Sequence, residues 1–208
     1  YKFPFFVSDV SAIGSSVLFN DSNMVIFSIE SYVNPVSKKK KKKFKSDVYI
    51  LNKKKVNIAW FRDKESSNFE ELAKVFIEIC KKKNVKNILI NGNFLLAKKL
   101  HATGVHLTSL QFDKIQTVKE LGLYVIISCH TFEDIGKALE NKADAVTFSP
   151  IFETPNKGEP KGIAILKEAV NTFKNIDIIA LGGIINNKQV EEISKTKAFG
   201  FASIRYFI

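Results

Sequence analysis

The chain has 208 residues, of which 45% are hydrophobic and 25% are charged, so it is long enough for one sizeable core and short for two. No apolar run approaches the roughly 20 residues that span a bilayer, and the first residues lack the features of a signal peptide. We therefore expect one cytoplasmic domain over 1–208, atypical in 1–55 and regular in 56–208, with no membrane contact.

The net charge of +11 raises nucleic acid as a partner. The lysines, however, are spread over predicted helix faces as well as the run at 38–43, and basic residues do not interleave with aromatic ones as in single-strand binders. This pattern argues against nucleic acid. The two cysteines, Cys80 and Cys129, have no CxxC or metal-ligand spacing, which favours a reducing compartment.

The first 55 residues are irregular. Residues 3–7 predict a strand, and 17–29 predict a strand, a turn and a second strand at 24–29, with no helical period before Pro35. We interpret 17–29 as a β-hairpin in place of a first helix, followed by a lysine-rich loop. Residues 48–51 are a further short strand candidate.

From residue 56 onward, short β-branched and aromatic runs alternate with segments of helical period. The strands predicted for the main sheet are 3–7, 56–61, 87–90, 104–107, 124–128, 145–149, 177–181 and 199–204. Such a series with intervening helices indicates an α/β fold, a TIM (β/α)8 barrel with an irregular N-terminal β/α unit. An open doubly wound sheet is the alternative, but no GxGxxG follows an early strand.

Two helix starts carry capping signals. Residues 67–70 match a capping box, and Thr131 is expected to be an N-cap with Asp134 near the N3 position. The helix that follows 67–70 is expected to bury one apolar face, formed by Phe69, Leu72, Ala73, Phe76, Ile79 and Cys80.

Candidate functional residues follow the carboxyl ends of the predicted strands, where a β/α barrel places its site. Gly182 and Gly183 follow the seventh strand, and their backbone N–H groups can face a phosphate. Arg205 follows the eighth strand and can add a bidentate contact. The alternative is that the glycines only permit a tight turn and that Arg205 is a surface cation.

His130 follows the fifth strand, and a histidine can move a proton at physiological pH, although a lone histidine is more often a capping or packing residue. It forms no metal-ligand spacing with His101 or His106. Arg62 and Lys64 follow the second strand and suit a phosphate or a carboxylate.

The loop at 154–158 is long for a β/α connection. With Thr154 and Lys157 beside a glycine, it can close over an anionic ligand or form an exposed turn.

Several segments resemble the thiamin-phosphate synthase/TenI family in order and spacing. They are Ser-Cys-His at 128–130, Ala-Asp-Ala-Val at 143–146, the loop 149–157 and Ala-Leu-Gly-Gly-Ile at 180–184. The resemblance extends from about residue 56 to the end of the chain and only loosely to 1–55. It implies a TIM barrel of thiamine (vitamin B1) biosynthesis that binds a thiazole phosphate.

The resemblance implies one of two reactions. The synthase joins the thiazole to a pyrimidine diphosphate with loss of pyrophosphate and uses Mg²⁺, whereas TenI-type tautomerases aromatise a thiazole carboxylate phosphate without metal. Gly92 and Gln111 stand where the synthase pattern has metal-binding aspartates, and Trp60 replaces a glutamine. Asn91 followed by Gly92 is similar to TenI-type proteins, so a TenI-like thiazole tautomerase without cofactor or metal is favoured.

In this interpretation His130 is the general acid–base. The resemblance and the residues together give a binding set of Arg62, Lys64, Asn91, Ser128, Thr154, Lys157, Gly182, Gly183 and Arg205. One alternative is a Mg²⁺-dependent thiamin-phosphate synthase with atypical metal ligands, because the 154–157 loop is closer to the synthase loop. A second is a degenerate barrel that binds a phosphorylated metabolite without catalysis, because Arg205 stands where the family usually has serine. A homodimer is also expected.

Overall fold

The computed structural model describes residues 24–30, 57–63 and 67–207. From residue 57 onward, strands alternate with α-helices in a regular β/α pattern. The strands are β1 (Met24–Glu30), β2 (Ile58–Arg62), β3 (Asn87–Asn91), β4 (Gly104–Leu107), β5 (Tyr124–Cys129), β6 (Ala145–Phe148), β7 (Asp177–Leu181) and β8 (Gly200–Ser203). The helices are α1 (Phe69–Lys82), α2 (Phe94–Lys99), α3 (Ile115–Glu120), α4 (Phe132–Glu140), α5 (Gly162–Thr172) and α6 (Asn187–Ser194).

The strands form a curled, parallel sheet in the order β1 to β8. Each strand pairs in parallel with the next, and β1 pairs with β8 as well as with β2. Because all strands run the same way, their carboxyl ends meet at one edge of the sheet, called the carboxyl edge below. The predicted α/β class is confirmed, and the strands predicted from 87 onward agree with β3 to β8 within two residues.

The first position of the sheet differs from the sequence prediction. Met24 lies in register with Gly200, and Ile26 with Ile58, so β1 fills the space between β8 and β2 that the prediction gave to 3–7. The segment predicted as the second strand of a hairpin therefore holds the first position of the sheet. Residues 3–7, 17–19, 38–43 and 48–51 lie outside the described ranges.

Apolar side chains pack on both faces of the sheet. The alternation of strand side chains places Ala59 and Phe61 toward the helices, and Ile58 and Trp60 toward the concave face. The cluster on the concave face consists of Ile58, Trp60, Leu89, Ile126, Ala145, Ile179 and Ala202. Two buried layers therefore hold the sheet, and the inner one lies directly beneath the carboxyl edge.

The two capping predictions have different outcomes. Thr131 caps α4 with a full capping box, since its side chain accepts from the Asp134 N–H and Asp134 bonds back to the Thr131 N–H. The box predicted at 67–70 is wrong: Asn68 is the N-cap of α1, and its side-chain nitrogen donates to Glu71 at 3.5 Å instead of capping the backbone. Helix α1 still buries the predicted stripe in part, with Leu72, Ala73, Phe76, Ile77 and Cys80 inside.

No helix in the described ranges is long and apolar enough to cross a membrane. Both cysteines are free and buried. Burial raises the pKa of the Cys129 thiol, so this neighbour of His130 is not an activated nucleophile.

Candidate active site

His130 lies just past β5 at the carboxyl edge, exposed to solvent. The backbone N–H of His130 donates to Asp134 Oδ2 at 2.8 Å, which ties the residue to the first turn of α4. Ring atom Nδ1 lies 3.1 Å from the carbonyl oxygen of Ser149. A carbonyl oxygen only accepts, so Nδ1 carries a proton. Of the two neutral tautomers, this contact selects the one in which Nε2 keeps its lone pair and can accept a proton.

His106, on β4, lies buried at the centre of the same edge with 5% of its surface exposed. Its ring stacks on Trp60, with 4.5 Å between the ring centroids and 6° between the planes. Burial, and the nearby charge of Arg62, lower the pKa of His106 to about 3. His106 is therefore neutral at physiological pH, and the Trp60–His106 pair forms an uncharged floor beneath the site.

Polar groups of neighbouring strands surround this floor. Nδ2 of Asn91 lies 3.0 Å from His106 Nδ1 and 2.9 Å from the His106 carbonyl oxygen. On the other side of the ring, His106 Nε2 lies 3.2 Å from Thr147 Oγ1 and 3.4 Å from Ser128 Oγ. The predicted residues Asn91 and Ser128 are thus brought together through His106.

Arg62 ends β2, half-buried, and burial lowers the pKa of its guanidinium from the usual value. Its positive charge acts on His106, which places a cation beside the floor of the site. A partly desolvated guanidinium attracts a phosphate or carboxylate more strongly than an exposed one. Lys64 lies outside the described residues.

Gly182 and Gly183 follow β7 with φ of 99° and 71°. A Cβ on Gly182 would lie 2.8 Å from Pro150 Cα, and one on Gly183 would lie 2.5 Å from the Glu153 carbonyl oxygen. The loop after β6 is held against this turn, since the Phe152 N–H donates to the Gly182 carbonyl at 3.0 Å. The glycines are therefore required by the packing of two loops at the carboxyl edge, whatever ligand their N–H groups meet.

The other predicted binding residues lie on loops of the same edge. Thr154 is half-buried and donates its hydroxyl to the Phe152 carbonyl at 2.9 Å, and Lys157 is exposed in the turn that follows. Arg205 is exposed in a short 3-10 helix after β8. Before it, the buried Ser203 donates its hydroxyl to the Ile184 carbonyl at 2.7 Å, which joins the loops after β7 and β8.

The Mg²⁺ implied by the synthase resemblance needs oxygen ligands, chiefly carboxylates. Gln111 Oε1 instead accepts from the Thr108 N–H at 3.0 Å and the Thr108 hydroxyl at 3.1 Å, while Nε2 donates to the Gly92 carbonyl at 2.9 Å. Within the described ranges no group of three or more His, Cys, Asp or Glu side chains is placed to hold a metal ion. The donor set in this part of the chain does not fit Mg²⁺.

Sequence reasoning considered His106 only as a metal ligand and missed its place in the site. The signal was available, because period two along β4 puts His106 on the face opposite to Val105 and Leu107. A polar residue on the concave face near the carboxyl end of a strand is a candidate for the site. Its stacking on Trp60, from a different strand, depends on the register of three strands and could not be read from the chain.

The fold and the site define an α/β protein with a curled parallel sheet whose polar and cationic groups meet at the carboxyl edge. Residues 33–207 match the model of the thiamine monophosphate synthase (TMP-TENI) family. The chain belongs to this family.

The chain is similar to "Putative thiamine-phosphate synthase 2" of Aquifex aeolicus (strain VF5), with 35% identity over 162 residues that cover 75% of this chain and 85% of that protein. It is 33% identical to the thiamine-phosphate synthase of Pelagibacter ubique (strain HTCC1062), over 65% of this chain and 67% of that protein. Among solved structures, the thiamine phosphate pyrophosphorylase of Pyrococcus furiosus has a TM-score of 0.69 at 20% identity, covering 88% of this chain and 85% of that one. This last likeness concerns the fold alone.

The comparisons confirm the predicted family, and with it thiamine biosynthesis as the field of function. On the reaction they favour the alternative of the sequence analysis, since the relatives carry the name thiamine-phosphate synthase and none of those cited is named a tautomerase.

Proposed function

We propose that this protein binds a phosphorylated thiazole at the carboxyl edge of its sheet and acts in thiamine biosynthesis as a thiamine-phosphate synthase. The single observation that carries this proposal is the family match over 33–207 together with curated relatives of that name. In the reaction implied by the family, the thiazole nitrogen forms a bond to the pyrimidine methylene carbon, and pyrophosphate leaves with the electron pair of the broken C–O bond.

The site supports the binding part of this proposal. Arg62 supplies a half-buried cation near the centre of the edge, and Lys157 and Arg205 are exposed cations on loops of the same edge. Cations at such positions counter the charge of the phosphate and of a departing pyrophosphate. Trp60 and His106 offer an apolar, neutral floor on which an aromatic ring can lie. No step is assigned to Mg²⁺, because the described donor set does not fit it.

A second candidate is thiazole tautomerisation, and the geometry of His130 favours it. Nε2 of His130 is free to accept because Nδ1 donates to the Ser149 carbonyl. A base that takes a proton from one ring atom and returns it to another shifts the double bonds without other change in composition, and aromatisation makes the shift downhill. This reaction needs no metal carboxylates, which agrees with the side chains found at Gly92 and Gln111.

Two assays on one preparation separate the candidates. The first measures thiamine phosphate formed from thiazole phosphate and the pyrimidine diphosphate, with and without added Mg²⁺. The second follows aromatisation of the thiazole carboxylate phosphate by ¹H NMR and ultraviolet absorbance. Thiamine phosphate formation supports the synthase, and its absence alongside metal-independent aromatisation would replace the synthase by the tautomerase. If neither assay shows turnover but the protein binds thiazole phosphate, it is a binding protein without catalytic activity.

His130→Asn tests the role of the histidine in either reaction. For the tautomerase we expect a loss of at least about 100-fold in rate, the usual contribution of a general base. His101→Asn is the matched control, because His101 is exposed and its φ of 53° suits asparagine. Equal activity of the two variants would show that His130 transfers no proton.

We also propose that the sheet is the core of a complete TIM (β/α)8 barrel, which the parallel pairing of β1 with both β2 and β8 supports. We further propose that the protein is cytoplasmic, forms a homodimer and has neither nucleic-acid nor membrane partners. Light scattering tests the homodimer, and a molar mass in solution equal to that of one chain would contradict it.

A further inference from the structure

We propose that Asn91 and His106 are positioning residues that fix the direction of the Ser128 hydroxyl, so that Ser128 donates its proton to the ligand at the carboxyl edge. The inference deepens the proposed function and rests on it for the presence of a ligand there. In this role the buried His106 neither transfers a proton nor binds a metal, but orients a neighbouring hydroxyl group.

The first step is the orientation of the Asn91 side-chain amide. The amide nitrogen Nδ2 lies 2.9 Å from the backbone carbonyl oxygen of His106, which can only accept a hydrogen bond. With the amide turned over, two oxygens would face each other at that distance. The amide NH₂ group of Asn91 therefore points toward His106, and its second hydrogen is available for the imidazole.

The second step is the tautomer of His106. The same Nδ2 lies 3.0 Å from His106 Nδ1, so Nδ1 accepts and carries no proton. A neutral imidazole has one N–H group, which must then be at Nε2. His106 remains neutral because its ring is buried and lies near the positive charge of Arg62. The ring plane is held by the stack on Trp60.

The third step is the direction of the hydroxyl groups. The Nε2–H group faces Thr147 Oγ1 at 3.2 Å and Ser128 Oγ at 3.4 Å, so both oxygens act as acceptors. Thr147 is fully buried, whereas Ser128 is half-buried near the carboxyl end of β5. Within the described part of the chain no other hydrogen bond is made by the Ser128 hydroxyl. Its proton is thus directed away from His106 and toward the edge where a ligand binds.

The opposite tautomer would reverse this arrangement. With the proton at Nδ1, atom Nε2 would accept, and the Ser128 hydroxyl could donate to it and turn its lone pairs toward the ligand. Asn91→Asp produces this state, because a carboxylate only accepts and draws the imidazole proton to Nδ1. The variant changes one heavy atom, and the new carboxylate oxygen, which cannot donate to the His106 carbonyl, turns toward the Nδ1–H group.

The tautomer is measured by long-range ¹H–¹⁵N NMR of the histidine side chains in the ligand-free protein, with His106→Gln to assign the signal. We expect the proton on Nε2 of His106 in the wild type and on Nδ1 in Asn91→Asp. A proton on Nδ1 in the wild type would overturn the inference, whether or not the protein binds thiazole phosphate.

The consequence for binding is measured as a double-mutant cycle with thiazole phosphate, followed by the fluorescence of Trp60, the single tryptophan of the chain. Ser128→Ala should weaken binding about tenfold in the wild-type background, the effect of one lost hydrogen bond. In the Asn91→Asp background the same substitution should change affinity less than about twofold, because the hydroxyl no longer donates to the ligand.

The cycle also removes the effect of the added charge, since the two Ser128→Ala comparisons are each made at constant charge. Ser194→Ala, on α6 at the opposite edge of the sheet, is the control and should leave affinity unchanged. Equal losses from Ser128→Ala in both backgrounds would contradict the positioning role. No binding by the wild type would contradict the proposed function, while the NMR result would still decide the tautomer.

Discussion

The indole ring of Trp60 and the imidazole ring of His106 lie parallel, with 4.5 Å between their centroids and 6° between their planes. The two residues come from β2 and β4, and Leu89 of β3 lies in the inner cluster with Trp60. The pair closes the concave face just below the polar groups of the carboxyl edge. Its neutrality and its packing lead to two predictions that need no knowledge of the ligand.

The first prediction concerns the dependence of stability on pH. The pKa of His106 is about 3 in the folded protein against an ordinary value of 6.5, so between these values the unfolded chain binds more protons than the folded one. The free energy of unfolding should therefore fall as the pH decreases from about 6.5 toward 3, by up to about 1.4 kcal/mol per pH unit from this group. Urea unfolding at pH 7, 5.5 and 4.5 measures the slope.

His106→Gln removes the titrating group, so the unfolding free energy of the variant should depend less on pH in this window. The comparison uses the slope, because the substitution also lowers stability at every pH. His101→Asn is the control, since His101 is exposed and should leave the slope as in the wild type. Identical slopes for wild type and His106→Gln would show that His106 is not held neutral by burial.

The second prediction concerns packing. Trp60 is 2% exposed and is among the largest fully or almost fully buried side chains of the described ranges. Trp60→Ala should lower the free energy of unfolding by about 3–5 kcal/mol, because it removes a large apolar surface and leaves a cavity. Trp60→Phe keeps an aromatic ring against His106 and should cost clearly less. Urea titration measures both, and equal losses would show that a phenyl ring against His106 restores none of the stability, contrary to this prediction.

The sequence allowed a close prediction of the strands that bury both faces, because runs such as 177–181 are short, β-branched and bounded by polar turns. The sequence also allowed His130, Gly182 and Gly183 to be placed at the carboxyl edge, since the parallel β/α order alone determines which strand ends share an edge. These properties depend on local pattern, and local pattern is visible in a single sequence.

Properties that depend on register or competition between neighbours were not predictable. Residues 67–70 match a capping box, but α1 begins one residue later, with Asn68 as the N-cap. The Asn68 side chain bonds to Glu71 and not to the backbone, so no capping box forms. Residues 3–7 and 24–29 both read as strands, and only the pairing with β2 and β8 selects Met24–Glu30. The contact of His106 with Trp60 likewise joins side chains 46 positions apart in numbering, which no periodicity reports.

A third prediction concerns the support of His130 by α4. Asp134 Oδ2 accepts from the backbone N–H groups of His130 at 2.8 Å and Thr131 at 3.1 Å. Asp134→Ala should lower the free energy of unfolding by about 1 kcal/mol, as for loss of a helix cap, and should also lower turnover because the backbone of His130 is no longer fixed. Calorimetry and the assays proposed above measure the two effects.

Glu133→Ala is the matched control for this variant. Glu133 is the neighbouring acidic residue of the same helical turn, and among the described residues it makes only an exposed ion pair with Lys137, at 2.7 Å. Such a pair contributes little, so stability and turnover should stay near those of the wild type. A loss of turnover in Glu133→Ala equal to that in Asp134→Ala would show that the charge of the turn, and not the bond to His130, is responsible.

The last prediction separates two reasons for a glycine at the carboxyl edge. Gly183 and Gly158 have nearly the same φ, 71° and 72°, so alanine at either position is strained to a similar degree, by about 1 kcal/mol. Only at Gly183 does the new Cβ meet other atoms, with the Glu153 carbonyl oxygen 2.5 Å away, whereas nothing lies within 4 Å at Gly158. Gly183→Ala should therefore lower the free energy of unfolding by at least about 2 kcal/mol, and Gly158→Ala by about 1 kcal/mol. Urea unfolding of both variants checks this, and equal losses would mean that the loop after β6 moves away from the β7 turn at little cost.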